Sequence, residues 1–190
     1  MKRAYMIHGW GGFPENHWFP WLKKKLEEKK FQVIAPQMPD PENPKIETWV
    51  PYLKKIVGKP DQETFFVGHS IGCQTILRYL EQLPPEIKVG KVLFVGGWVN
   101  LTSKATEDKN SKNLAKPWLK KSIDWKKVRL HSEHFTAIFS DDDPFVPAED
   151  AQIFKENLKA KTIIVKGKGH FTKRESLSEI PEALNLFETV

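Results

Sequence analysis

Apolar residues recur along this chain with two alternating periods. Lys2 to His8 is a short, largely apolar run that predicts a strand. From Glu15 to Lys30, Trp18, Trp21, Leu22 and Leu26 fall three and four residues apart, the stripe of an amphipathic helix. Phe31 to Pro36 predicts a second strand, Gln37 to Lys45 a proline-rich loop, and Ile46 to Val57 a helix with Trp49, Leu53, Ile56 and Val57 inward. Glu63 to Val67 is the third strand, followed by helical spacing from Cys73 to Leu83. Lys91 to Val95 is almost continuously apolar, as a strand buried on both faces should be. His134 to Ser140 and Lys161 to Lys166 predict two more strands, and Ala148 to Leu158 and Leu177 to Phe187 two more helices. This alternation predicts an α/β fold: a mostly parallel, six-stranded sheet with helices on both faces.

One stretch breaks the rhythm. Gly96 to Lys127 is long, polar and lysine-rich, and carries Trp98, Trp118 and Trp125. Two readings fit it equally, an excursion with one or two short helices or a small flap over a site, because long loops in compact domains are often functional.

Composition narrows the picture. With 190 residues, 39% hydrophobic and 28% charged, the chain is expected to form one domain, residues 1–190, around a sizeable core. No apolar run approaches the roughly 20 residues of a membrane span. The start lacks the long apolar stretch and cleavage site of a signal peptide, so a cytoplasmic, non-membrane protein is expected. The single cysteine, Cys73, excludes an internal disulfide and agrees with a reducing compartment. A net charge of +6 raises the question of nucleic acid. The lysines, however, are dispersed among glutamates and apolar residues, as on solvated helix faces, and no nucleic-acid motif accompanies them.

The candidate chemistry lies in Gly68-His69-Ser70-Ile71-Gly72, a Gly-x-Ser-x-Gly motif between a strand and a helix. That context is a nucleophile elbow: a sharp turn lifts the serine hydroxyl out of the sheet, and the flanking glycines let strand and helix pass closely. A serine needs a base and a carboxylate to orient the base. In chain order these are offered by Ser140-Asp141-Asp142-Asp143-Pro144-Phe145 after the fifth strand and by Gly167-Lys168-Gly169-His170-Phe171 after the sixth. His170 is the candidate base. Asp143 is the preferred acid, because Pro144 fixes the turn that follows, with Asp142 second; the remaining aspartates fit an acidic turn capping the next helix. His8 and His69 are expected as structural neighbours of the site and His17 within the first helix. His131 and His134 stand three apart, but no carboxylate or histidine cluster lies at ligand spacing, so neither a metal nor a cofactor is expected.

Two backbone N–H groups are needed for an oxyanion. Ile71, after the serine, is one candidate. The other is Trp10 in His8-Gly9-Trp10-Gly11-Gly12, after the first strand, which approaches the His-Gly-Gly-Gly pattern of lipases and esterases. Trp10, Trp98 and Phe145 are the candidate substrate-binding residues.

Ile7-His8-Gly9, Asn16-His17-Trp18-Phe19-Pro20-Trp21-Leu22, the elbow, Asp142-Asp143-Pro144-Phe145-Val146-Pro147 and Gly169-His170-Phe171 together resemble the retinoblastoma-binding-protein-9 family of small serine hydrolases. The resemblance implies a compact α/β-hydrolase fold with strand order 2-1-3-4-5-6 and no large cap. It also implies a triad of Ser70, Asp143 and His170 and weak hydrolysis of short-chain esters. Retinoblastoma-protein binding is not expected, because the only cysteine lies in Ile71-Gly72-Cys73-Gln74-Thr75 rather than in Leu-x-Cys-x-Glu; Cys73 reads as a small core residue. The leading expectation is therefore a carboxylic-ester hydrolase acting on a small-molecule ester. An amidase or peptidase with the same triad is the second reading, and a weakly catalytic or non-catalytic binding protein the third.

Overall fold

The computed structural model describes residues 1–172 and 177–188. Six strands, β1 (Arg3–Ile7), β2 (Gln32–Ile34), β3 (Thr64–His69), β4 (Val92–Val95), β5 (Phe135–Ser140) and β6 (Lys161–Val165), form one sheet in the order β2-β1-β3-β4-β5-β6. Every pairing is parallel. Seven helices accompany them among the described residues: α1 (Phe19–Glu28), α2 (Ile46–Val57), α3 (Ile71–Leu80), α4 (Lys109–Lys120), α5 (Trp125–Leu130), α6 (Asp150–Leu158) and α7 (Pro181–Glu188).

The period of two along each central strand sorts its side chains into two cores. Val92 and Phe94 face one side with Tyr5, Ile7 and Phe66, against Trp49, Leu53, Ile76, Val128 and Phe154 from α2, α3, α5 and α6. Leu93 and Val95 face the other with Ala4, Met6 and Val67, against Leu22 and Leu26 of α1 and Ala183 and Phe187 of α7. Both faces of the middle strands are thereby dry, which is why β3, β4 and β5 read as apolar runs rather than alternations. No helix among the described residues is long and apolar enough to cross a membrane.

Several boundaries differ from the sequence expectation, each for a local reason. The first helix begins at Phe19, with Pro20 in its first turn, where a missing N–H is tolerated. His17 thus lies in a turn with φ 56° rather than in the helix. The edge strand β2 shrinks to three residues as the chain runs toward Pro36. The last helix starts at Pro181, while Leu177 and Ile180 are buried ahead of it as irregular chain. The Gly96–Lys127 excursion contains a 3-10 turn at Ser103–Thr106, then α4 and α5.

Strand order reverses at β1, which lies between β2 and β3. The carboxyl ends of β1 and β3 therefore open a crevice, the usual ligand position in an open parallel sheet. Helix α3 begins directly after Ser70 and crosses close to β1. A Cβ added at Gly72 would overlap the carbonyl oxygens of Ile7 and His8, and one at Gly68 would lie 2.8 Å from Cys73 N. These contacts are with backbone, which cannot swing aside. Gly72→Ala is therefore expected to lower unfolding free energy by about 2–3 kcal/mol or more through overpacking. A urea denaturation midpoint equal to wild type would show that the crossing is looser than described.

Candidate active site

Each candidate group leaves the carboxyl end of a different strand. Ser70 follows β3 with φ 54° and ψ −120°, the strained turn of an elbow, and its N–H donates to Val95 O at 2.9 Å. Asp143 follows β5 and His170 follows β6. The three side chains meet: His170 Nε2 lies 2.9 Å from Ser70 Oγ, and His170 Nδ1 lies 2.7 Å from Asp143 Oδ2. An ionised carboxylate only accepts, so Nδ1 carries the proton toward Asp143 and Nε2 is left to accept from the serine hydroxyl. The Asp143 side chain is 2% exposed. Its other oxygen accepts from the N–H groups of Phe145 and Val146 at 2.9 and 3.1 Å, which fixes the carboxylate plane.

The adjacent aspartates have different work. Asp142 Oδ1 accepts from Ser140 Oγ and from Gly169 N–H, and these bonds hold its pKa below the usual carboxylate range. Asp141 accepts from Gly167 N–H, and Ser140 Oγ from Lys168 N–H. One acidic turn thus ties down the loop that carries His170, while its third carboxylate receives the imidazole.

Across the crevice the Gly9–Gly12 turn is equally tied. Gly12 N–H donates to Gly9 O and Gly11 N–H to Pro41 O. His8 donates from Nδ1 to Gly9 O and accepts at Nε2 from Met38 N–H. Among the described residues no backbone carbonyl accepts from the N–H of Trp10 or Ile71. The Trp10 indole donates to Glu42 O, which holds the ring at the cleft. Ser70 and His170 open into a cleft of about 600 Å³, also lined by Trp10, Trp98 and Phe145. The Phe145 ring meets the His170 ring edge-on, with centroids 5.3 Å apart.

The serine hydrolase family model matches residues 4–189. The chain belongs to the serine hydrolase family. It is 31% identical over 180 residues to YdeN of Bacillus subtilis (strain 168), covering 95% of this chain and 91% of that protein. The crystal structure of the ydeN gene product matches with a TM-score of 0.89 at 29% identity, covering 98% and 97% of the two chains. The serine hydrolase RBBP9 of Rattus norvegicus is 28% identical over 176 residues, covering 91% of this chain and 89% of that protein. A carboxylesterase structure from Nitrososphaera gargenis shares the fold, with a TM-score of 0.72 at 15% identity over 98% of this chain and 89% of that one. This serine hydrolase is thus an RBBP9-like small hydrolase of the α/β-hydrolase fold.

Some parts of the candidate site carry no recognisable sequence signal. The start of the excursion forms a cleft wall, through Leu101, Lys104, Ala105, Asp108 and Ser111. The short helices expected of this segment are present, and its first part borders the cleft. His17, freed from the helix, lines the cleft and packs its ring against His69 at 6.0 Å. His69 does more than neighbour the serine: its Nε2–H donates to the carbonyl of His170 at 2.9 Å, joining the elbow to the backbone of the candidate base. By contrast, His131 spends Nδ1 on Ile87 O, far from the cleft.

Burial, and to a lesser degree the neighbouring His170, holds the His69 pKa well below the usual histidine range. Burial lowers that of His8 too, partly opposed by its bond to Gly9 O. In the unfolded chain both titrate near about 6.5. The unfolded state therefore binds more protons just below that pH, and the stability these histidines contribute is complete above about pH 6.5 and lost as pH falls. The urea midpoint is expected to drop between about pH 7.5 and pH 5, a window above carboxylate titration. The drop should be smaller in His69→Gln, which keeps a donor for His170 O. An equal drop in both proteins would show that His69 is protonated in the fold.

Proposed function

We propose that this serine hydrolase cleaves carboxylic esters of small acyl groups through an acyl-enzyme on Ser70. The observation that supports this reading is the unbroken hydrogen-bond chain from Asp143 Oδ2 through both His170 nitrogens to Ser70 Oγ, opening into an aromatic-walled cleft. His170 Nε2 takes the Ser70 proton as Oγ bonds to the acyl carbon. The carbonyl π pair moves to oxygen, and the resulting oxyanion is met by the N–H groups of Trp10 and Ile71 at the positive end of α3. Collapse expels the alkoxide, which receives the proton from Nε2. Water then repeats the sequence: it gives its proton to His170, attacks the acyl carbon and releases the carboxylic acid as Ser70 regains its proton. Asp143 keeps Nδ1 protonated throughout and stabilises the imidazolium that forms in each half-reaction.

The test is hydrolysis of matched p-nitrophenyl esters and p-nitroanilides by wild type, Ser70→Ala, Asp143→Asn and Asp142→Asn. Wild type is expected to cleave the esters. Ser70→Ala should lose on the order of 10⁴-fold or more in kcat. Asp143→Asn should lose about 10³–10⁴-fold, because an amide in that place favours the wrong imidazole tautomer. Asp142→Asn, which touches the loop and not the ring, should lose less than about tenfold. Preferential cleavage of the anilides would move the reading to an amidase. A Ser70→Ala protein that retains wild-type rates would remove the reading altogether.

A further inference from the structure

The helix that follows Ser70 carries two buried polar side chains that take no part in the chemistry above. Gln74, 1% exposed, sits about one turn from the serine and donates from Nε2 to Trp98 O. Arg78, fully buried, sits one turn further on. Its Nη2 donates to Trp118 O and to Lys121 O, both at 2.7 Å, and its guanidinium lies over the Trp118 ring at 5.9 Å. The helix thus grips the excursion at two places, just after β4 and where α4 stops.

Stability alone does not account for an arginine at this place. No carboxylate lies within ion-pair distance of its nitrogens among the described residues, Glu81 favours its charge only from further off, and Nε and Nη1 have no hydrogen-bond partner there. Burying a guanidinium in this way is costly, and an apolar side chain of similar volume would fill the space at less expense. What an apolar side chain cannot do is bind two carbonyls at the C-terminal end of a helix, where partial negative charge gathers and a cation is favoured. Arg78 is in effect the buried C-terminal cap of α4.

That cap matters because α4 is otherwise lightly held. Only Ala115 and Trp118 of its side chains are buried, and the Trp118 indole adds one bond, from Nε1 to Pro44 O. The preceding 3-10 turn buries none of its residues. Yet Lys104 and Ala105 of that turn, with Asp108 and Ser111 at the start of α4, form a wall of the cleft. A helix of this length is a rod of about 18 Å. The chain ahead of its near end is tied at Thr102, whose Oγ and N–H donate to Pro144 O and Phe145 O, so holding the far end as well fixes the angle at which the helix stands beside the cleft.

We propose that Arg78 is a positioning residue for substrate selection: by holding the end of α4 it sets the distance between the Lys104–Ser111 wall and Ser70, and so the size of acyl group the cleft retains. This rests on the ester-hydrolase reading. It assigns Arg78 no contact with substrate. Acyl groups that reach only Trp10 and Phe145 are indifferent to it, whereas longer ones that lean on the wall are not.

The test compares wild type, Arg78→Met, Arg78→Lys and Trp118→Phe on p-nitrophenyl acetate and p-nitrophenyl octanoate. For Arg78→Met, KM for the octanoate is expected to rise about tenfold with kcat within about twofold, and the acetate parameters to stay within about twofold. Arg78→Lys, able to reach one of the two carbonyls, should recover part of the octanoate KM. Trp118→Phe, which removes the other tether, should shift KM in the same direction. Hydrogen exchange, read without any substrate, should quicken over 103–120 in Arg78→Met while β3 and the first turn of α3 stay slow. Equal losses on acetate and octanoate, unchanged octanoate KM in folded Arg78→Met, or exchange that quickens everywhere would each overturn the proposal. So would failure of all three variants to fold, since Arg78 and Trp118 would then serve the fold as a whole. If wild type leaves both esters intact, the ester-hydrolase reading fails instead, and exchange over 103–120 still decides whether Arg78 holds α4.

Discussion

At Ser70 the chain passes from a strand into a helix through φ 54°, ψ −120°, a region that costs an L residue about 1–3 kcal/mol. The surrounding packing compels it. Helix α3 must start immediately and run so close to β1 that residue 72 can carry no side chain. The turn therefore cannot relax into a wider loop without lifting α3, with Ile76, Leu77 and Leu80, off the sheet. Hydrophobic burial along the helix thus offsets the strain at one residue, and the serine hydroxyl faces His170 Nε2 at the carboxyl end of the sheet. Gly9 approaches the same point from β1, within van der Waals reach of His69 and Ser70. The crevice, the candidate oxyanion donors and the serine are consequences of one close crossing.

Around that fixed point, neutral and charged groups are kept apart by environment. His69 and His8 are held neutral by burial, which keeps positive charge away from the imidazole of His170. Three consecutive aspartates would repel if they shared a place. Their side chains instead go to Gly167, to Ser140 with Gly169, and to His170 with the Phe145 and Val146 amides. Each carboxylate accepts from N–H or O–H donors of its own, so the acidic turn braces the loop of His170 and orients its imidazole at once.

Much of this was legible in the sequence, and the limits were physical. The middle strands and α2 could be placed because apolar periodicity reports burial directly. Ser70 and His170 could be singled out as candidates because an elbow and a strand-end loop histidine follow each other in a fixed order. The choice among Asp141, Asp142 and Asp143 was not decided by periodicity, since all three lie in one turn and differ only in which way each side chain points. The excursion was legible as a break in rhythm but not as a wall, because its cleft-facing residues, such as Lys104 and Ser111, are polar and carry no inward stripe. Arg78 was invisible for the opposite reason: a lone cation in the last turn of a helix reads as a solvated residue, and only the backbone of α4, some 40 positions later in the chain, makes it a buried cap. His17 was misplaced because helical spacing extends past the point where Pro20 sets the first turn.

The account stands on an activated serine at the crossing of α3 and β1. Mass spectrometry of the protein after reaction with a fluorophosphonate tests this most directly. One phosphonyl group per chain is predicted, carried by the peptide that contains Ser70. Modification at another residue, or an unmodified and fully folded protein, would contradict it.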